Sequence, residues 1–275
     1  MLHTQIVAGS KPGILLSEKI TPLILTYNEE PNIHRVLERL TWAKDILVVD
    51  SYSSDRTLNI LAQHPKVQVL QRQFDSFADQ CNYGLTQITS EWVLSLDADY
   101  VLSDRLIQEI HSLPSNPHAD SYRIPFKYCV FGKPLRGTLL PPRIALYRRA
   151  KAHYHNNGHA HGVTIQGTTA TLKAHIHHDD RKSLSRWLWA QDRYMVQEAQ
   201  QLLTTPPEKL SGSDRLRRHK LFAPFAVLLY CLILKGGILD GWRGIYYAFQ
   251  RMLAETLLAI KIVELEQMKR MGNRE

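Results

Sequence analysis

The sequence predicts an α/β fold built on a mostly parallel sheet. Short apolar runs alternate with stretches of helical periodicity over the first 113 residues, the pattern of strand–helix crossover units. Three of those runs end in polar residues: PLILT in Tyr27-Asn28-Glu29-Glu30, ILVV in Asp50-Ser51, WVLSL in Asp97-Ala98-Asp99. Open sheets of this class bind ligands beyond the carboxyl ends of their strands, so the three ends point to one site.

The elements follow in order. Pro22 to Thr26 reads as the first strand, and Ile33, Val36, Leu37 and Leu40 as the buried stripe of a helix behind Pro31. Ile46 to Val49 is the second strand, and Ser54 is expected to cap a helix carrying Leu58, Leu61 and Ala62. Val67 to Leu70 is the third strand, followed by a stripe of Phe77, Cys81, Leu85 and Ile88. Trp92 to Leu96 is the fourth, and Leu106, Ile107 and Ile110 mark the next helix. Proline and glycine punctuate residues 114 to 180, and histidines gather late, from His153 to His178. Irregular strands and loops closing over the site are expected there. From Ser183 a helix carries Leu184, Trp187, Leu188, Met195 and Leu202; a last one carries Ile245 to Ile260. The chain thus divides into 1–113, the strand–helix half; 114–182, a closing region of the same domain; and 183–275, a C-terminal helical appendage.

Composition bounds the function. The formal charge is +8 over 275 residues, which favours anionic partners. No helix-turn-helix, zinc or aromatic ribonucleoprotein signature accompanies it, so nucleic acid is not the expected partner. Cys81, Cys129 and Cys231 form no CxxC pair and read as free thiols in a reducing compartment. The N-terminal stretch lacks the pattern of a signal peptide, and a cytoplasmic setting is expected. The apolar run Leu221 to Leu234 follows the basic run Arg215 to Lys220. It falls short of the ~20 apolar residues that span a bilayer. Two readings stand: a buried helix, or a segment docked peripherally on an anionic membrane surface.

Asp97 and Asp99 are the strongest chemical signal. Paired carboxylates at a strand end suit a hard divalent cation, Mg²⁺ or Mn²⁺, that also binds a substrate's phosphates. Asp50 could accept a hydrogen bond from a base; the plainer alternative is a turn residue. Tyr27 could cover a base face and Asn28 bond its edge.

The stretches ILTYNEEPNIHRVLERL, ILVVDSYSSDRTLNIL, QCNYGL and WVLSLDADY occur in the order of the motifs of family 2 glycosyltransferases with the GT-A fold, which this sequence resembles. Within that family it resembles the branch of lipopolysaccharide-core glucosyltransferases, and GGILDGWRGIYYAFQ is similar to that branch's ending. The resemblance implies a metal-dependent enzyme that moves a sugar, with inversion, from a nucleotide-sugar donor such as a UDP-sugar to a lipid-linked or cell-envelope glycan. It places Thr26, Tyr27, Asn28, Glu29, Asp50, Asn82, Asp97 and Arg143 at the donor, and Asp97, Asp99 and His178 at the metal. Arg143, Arg148 and Arg149, in PPRIALYRR, resemble the family's RLFRR stretch and could bind a phosphorylated acceptor or the donor diphosphate; the plainer alternative is a solvated edge strand.

Two departures stand out. Relatives carry a lysine or arginine where this chain has Cys81; Arg72 is one substitute cation. The branch also carries a His-Glu pair where this chain has His161-Gly162. An inverting transfer needs a general base, and Asp180, Asp179, His161 and His159 are the neighbours able to serve, Asp180 or Asp179 foremost. The rival of another class is a nucleotide-sugar-binding scaffold without turnover.

Overall fold

The computed structural model describes residues 15–157 and 160–272. A seven-stranded sheet organises it, in the order β12-β6-β9-β4-β1-β2-β3. The parallel half contains β1 (Ile20–Thr26), β2 (Ile46–Asp50), β3 (Val67–Gln71) and β4 (Trp92–Asp97). These are the four apolar runs of the sequence, each lengthened by one or two residues at an end. Helices α1 (Ile33–Glu38), α2 (Thr57–Leu61) and α3 (Phe77–Gln87) connect them.

Both faces of the parallel half are covered, which is why its strands are apolar throughout. Side chains alternate between the faces. Ile24, Val48 and Leu94 enter one core with Ile33, Val36 and Leu37 of α1 and with Leu106 and Ile110 of α4 (Asp104–His111). Leu23, Leu47, Val49 and Val93 enter the other with Ala78, Cys81 and Leu85 of α3. At Gly84 a Cβ would lie 2.5 Å from Leu23 Cδ1, so glycine lets α3 settle onto β1.

Residues 114–182 are more regular than the sequence suggested. They add β6 (Ser121–Ile124), β9 (Arg143–Arg148) and β12 (Thr169–Thr171) to the main sheet, with β9 antiparallel to β4. A hairpin of β10 (Ala152–Asn157) and β11 (Ala160–Ile165) packs on α3. A small sheet holds β5 (Tyr100–Leu102), β13 (Ile176–His178), β7 (Phe126–Val130) and β8 (Lys133–Pro134). These strands are short and bounded by proline and glycine, so no long apolar run announces them.

Ser54 does not cap α2. Its N–H donates to Asn28 Oδ1, and Asp55 accepts instead from the Thr57 N–H at 2.9 Å. In the C-terminal region α5 (Leu184–Thr204) packs on α8 (Trp242–Gly272) through Ala199, Leu202, Leu258 and Ile262. Between them lie α6 (Gly212–Arg218), α7 (Ala223–Leu229) and a π turn, Tyr230–Leu234. The basic run there is not a free cationic face. Arg217 pairs with Glu255 and Glu198, Arg218 donates to the carbonyls of Leu202 and Thr205, and Lys220 reaches Glu266 at 2.5 Å.

Candidate active site

Two loops leave the carboxyl ends of β1 and β2 and are tied to each other. Asn28 has φ = 56°, a left-handed turn that asparagine tolerates better than most residues. Its N–H donates to Ser53 Oγ at 2.8 Å, and its side-chain oxygen accepts from the Ser54 N–H at 2.8 Å. The Glu29 N–H donates to Thr57 Oγ1 at 2.8 Å. Asp50 lies beneath this clasp, fully buried. Its Oδ1 accepts from Thr26 Oγ1 at 2.8 Å and from Ser53 Oγ at 2.5 Å, and its Oδ2 from the Ser53 N–H at 2.9 Å. Asp50 and Thr26, expected at the donor, build the floor that holds the Asn28 loop. Tyr27 stands above, exposed, with the Arg186 guanidinium 5.3 Å from its ring centroid.

Asn82 was also expected at the donor. Its amide donates to the Tyr154 carbonyl at 2.9 Å, and its oxygen accepts from the Tyr154 N–H at 2.9 Å. Both ends are spent on clamping β10 to α3. Cys81 is buried in the core beside it, and burial drives its thiol far above the usual range, out of reach of ionisation. Arg72, the substitute cation, bonds to Gln80 and Asp75.

The acidic centre forms where β4 and the small sheet meet. Asp97 ends β4 beside Leu25 of β1, and Tyr100, bonded to Asp97, accepts from Arg143 Nη1 at 3.4 Å. Antiparallel pairing sets His178 opposite Tyr100, and the Asp179 N–H donates to the Asp99 carbonyl at 3.0 Å. The HHDD run is thereby laid against the DAD run. His178 Nε2 lies 3.1 Å from Asp99 Oδ2. Burial opposes charge on both; the pairing outweighs it, holding Asp99 below the usual carboxylate range and His178 above the usual imidazole range.

Lys182, which sequence reasoning did not single out, is the cation of this centre. Its Nζ lies 2.8 Å from Glu29 Oε1 and 3.7 Å from Asp180 Oδ1. Burial opposes its charge, but Glu29, Asp99 and Asp180 together raise its pKa. Burial pushes Glu29 up to about 7, against the pull of Lys182. The partners of Lys182, Glu29 and Asp99, lie far away in the sequence, so no local pattern marks that lysine.

The two aspartates proposed as base differ sharply. Asp179 is buried; its Oδ1 accepts from the Gly132 N–H at 3.1 Å, while Oδ2 meets Arg181 Nη2 at 2.9 Å and Arg35 Nε at 3.4 Å. It is a structural knot between three segments. Asp180 commits Oδ1 to Asn32 Nδ2 at 2.9 Å and to the Lys182 N–H at 3.0 Å. Its Oδ2 accepts no hydrogen bond among the described residues. His161 sits on β11 opposite Asn156; its side chain and all of His159 lie outside the described residues. At Gly162 a Cβ would fall 2.7 Å from His155 Nε2, so the imidazole covers the place of the absent side chain.

Asp99 Oδ1 is buried and has no hydrogen-bond partner among the described residues, nor has His178 Nδ1. An orphaned carboxylate oxygen of this kind suits a cation. Among the described residues no three histidine, cysteine or acidic groups converge as a cage, and the expected Asp97, Asp99 and His178 set is not assembled; His178 turns its Nε2 onto Asp99 instead. One or two carboxylates with ligands left for phosphate is the usual mode for Mg²⁺, so the donor set fits such a metal.

A parallel sheet with clasped loops and a carboxylate pair at its strand ends defines a GT-A-like fold. A mannosyltransferase from Pyrobaculum calidifontis, solved with GDP-Man and Mn²⁺, shares it with a TM-score of 0.53 at 14% identity, covering 94% of this chain and 90% of that one. The model of glycosyl transferase family 2 matches residues 23–162, about half of the sequence, and the chain belongs to that family. An uncharacterized glycosyltransferase of Rickettsia bellii is 32% identical over 109 residues, which span 39% of this chain and 37% of that protein. The match thus covers well under half of that relative. The lipopolysaccharide core biosynthesis glycosyltransferase LpsC of Rhizobium meliloti is 22% identical over 272 residues, covering 92% of this chain and 95% of LpsC.

Proposed function

We propose that this chain is an inverting glycosyltransferase that moves a sugar from a nucleoside-diphosphate donor to a lipid-linked or cell-envelope glycan. The observation that carries this reading is the orphaned, buried Asp99 Oδ1, in a centre that Lys182 joins to Glu29 of the clasped loops. Family membership supports it, and the names of LpsC and of the mannosyltransferase point to the same class of acceptor and donor.

Tyr27, Asn28 and Glu29 would receive the nucleoside, held in place by the Thr26–Asp50–Ser53 floor. Arg143, presented by Tyr100, would face the diphosphate beside Asp97. Asp97 and Asp99 would hold Mg²⁺ or Mn²⁺, which supplies neutralisation of the charge gathering on the leaving diphosphate. Asp180 would take the acceptor's hydroxyl proton on Oδ2 as the new bond to the anomeric carbon forms and the bond to the diphosphate breaks. Asp179 would serve it by fixing the turn that precedes it.

Transfer from a panel of UDP- and GDP-sugars, read as released nucleoside diphosphate, tests this. Release dependent on an acceptor glycan supports it. Donor binding without release from any member would favour the scaffold reading, for which the one specific observation is that Gly162 offers no carboxylate.

A further inference from the structure

The hairpin formed by α7, the π turn and the start of α8 is apolar on both sides. Its inner face packs Val227, Leu228, Cys231 and Leu232 against Val130, Leu135, Tyr247 and Ala248. A surface helix normally turns polar residues outward. This one turns out Phe225, Ile233, Leu234, Ile238, Leu239 and Trp242. Leu234 is 75% exposed and Leu239 68%, on either side of the tip. Monomeric proteins rarely leave such contiguous apolar surface bare without a partner for it.

The tip is rigid. At Gly244 a Cβ would lie 1.8 Å from the Gly237 carbonyl oxygen, so two glycines bring the arms into backbone contact. Arg136 braces it from outside, donating its N–H to Asp240 Oδ2 at 2.9 Å and pairing with the same carboxylate. At Gly137 a Cβ would lie 2.2 Å from the Lys235 carbonyl.

Charge chooses the occupant. Between Leu221 and Ala254 the one acidic residue is Asp240, already neutralised by Arg136; Lys235, Arg243 and Arg251 are basic. Lys235, at the turn itself, leans back on the Tyr230 ring at 5.5 Å, and Arg243 lies on the Trp242 ring at 4.6 Å. Exposed aliphatic side chains beside aromatic–cation pairs are the composition of a bilayer interface, where the long stems of such cations let their heads reach headgroup phosphates. No described helix is long and apolar enough to cross a membrane, so the hairpin would enter one leaflet.

We propose that this hairpin is a wedge that inserts into the interface of an anionic phospholipid bilayer, and that it sets the catalytic centre at the membrane surface. The link is the β7–β8 turn. Phe131, 65% exposed, stands 5.8 Å from the Trp242 ring and 5.8 Å from the Tyr246 ring. The next residue, Gly132, donates its N–H to Asp179 beside the acidic centre. The inference deepens the reading of a lipid-linked acceptor, but its surface and its test are independent of turnover.

The full chain is sedimented with vesicles of phosphatidylcholine and phosphatidylglycerol. Wild type should pellet, and vesicles of phosphatidylcholine alone should bind it several-fold less. The double variant I233D/L234D changes exposed side chains only; it should melt as wild type does and lose vesicle partition by roughly tenfold or more. F225D, further along the same face, should lose less. Nucleoside-diphosphate affinity, measured on the same samples without lipid, should not change; its loss in wild type would count against the transferase reading and leave the wedge standing. Wild type remaining in the supernatant, or the double variant pelleting equally, overturns the wedge. A tight dimer in sedimentation velocity that I233D/L234D dissolves would assign the face to a second copy of the chain and overturn it too.

Discussion

Lys182 and Glu29 meet at 2.8 Å, joining the residue before the cap of α5 to the loop after β1. One cation there serves three carboxylates, Glu29, Asp99 and Asp180. Glu29 is left with a raised pKa, about 7, while Asp99 is held low.

The Lys182–Glu29 pair makes stability depend on pH. Below the ordinary value of 4.5 Glu29 is protonated whether the chain is folded or not. Between 4.5 and about 7 the folded protein keeps the proton that the unfolded chain has released, so stability falls as pH rises through this window. At most roughly 3 kcal/mol is lost this way, since one pKa unit is about 1.4 kcal/mol. E29Q should flatten the fall in melting temperature between pH 5 and pH 7. K182M should leave Glu29 without its counter-charge and extend the fall above pH 7. Identical pH profiles for wild type and E29Q would remove Glu29 from this role.

Asp179 and Asp180 should separate cleanly on mutation. D179N breaks a buried charge network and should cost about 3 kcal/mol in denaturant unfolding. D180N should unfold near wild type, because its neighbours Asn32 and Lys182 keep an acceptor oxygen. Its turnover should fall by about a hundredfold or more, with nucleoside-diphosphate affinity unchanged. Full turnover in D180N would move the base elsewhere, with His155 above Gly162 the next residue to substitute.

Asn82 offers a check on its reassignment. N82A removes both hydrogen bonds to Tyr154 and leaves that backbone unpaired, so stability should drop by about 1–3 kcal/mol. Donor affinity of the folded variant should stay near wild type. A selective loss of affinity without loss of stability would return Asn82 to the donor site.

The parallel half of the fold was legible because strands covered on both faces are apolar throughout, and ILVV and WVLSL have few other uses. The importance of Asp97 and Asp99 was legible from position: they close the fourth such strand. What stayed hidden depended on partners distant in sequence. Arg217 and Lys220 look like a basic face until Glu255 and Glu266, about forty residues on, are seen to take them. The bonds of Asn82 to the Tyr154 backbone, and of Asp50 to Thr26, were hidden in the same way. Lys182 was invisible for the same reason: Glu29 and Asp99 come to it only in the folded chain, where β13 is laid against β5.

The central claim is that the acidic centre at Asp99 binds a nucleoside diphosphate through a divalent cation. Calorimetric titration of UDP and GDP into wild type and D99N, each with Mn²⁺ and with EDTA, tests it most directly. The account predicts that wild type binds one of the two nucleotides at least about tenfold more tightly with Mn²⁺, and that D99N, folded by its melting curve, shows no such gain. Equal affinity with and without Mn²⁺ in wild type, or an undiminished Mn²⁺ gain in D99N, would contradict it.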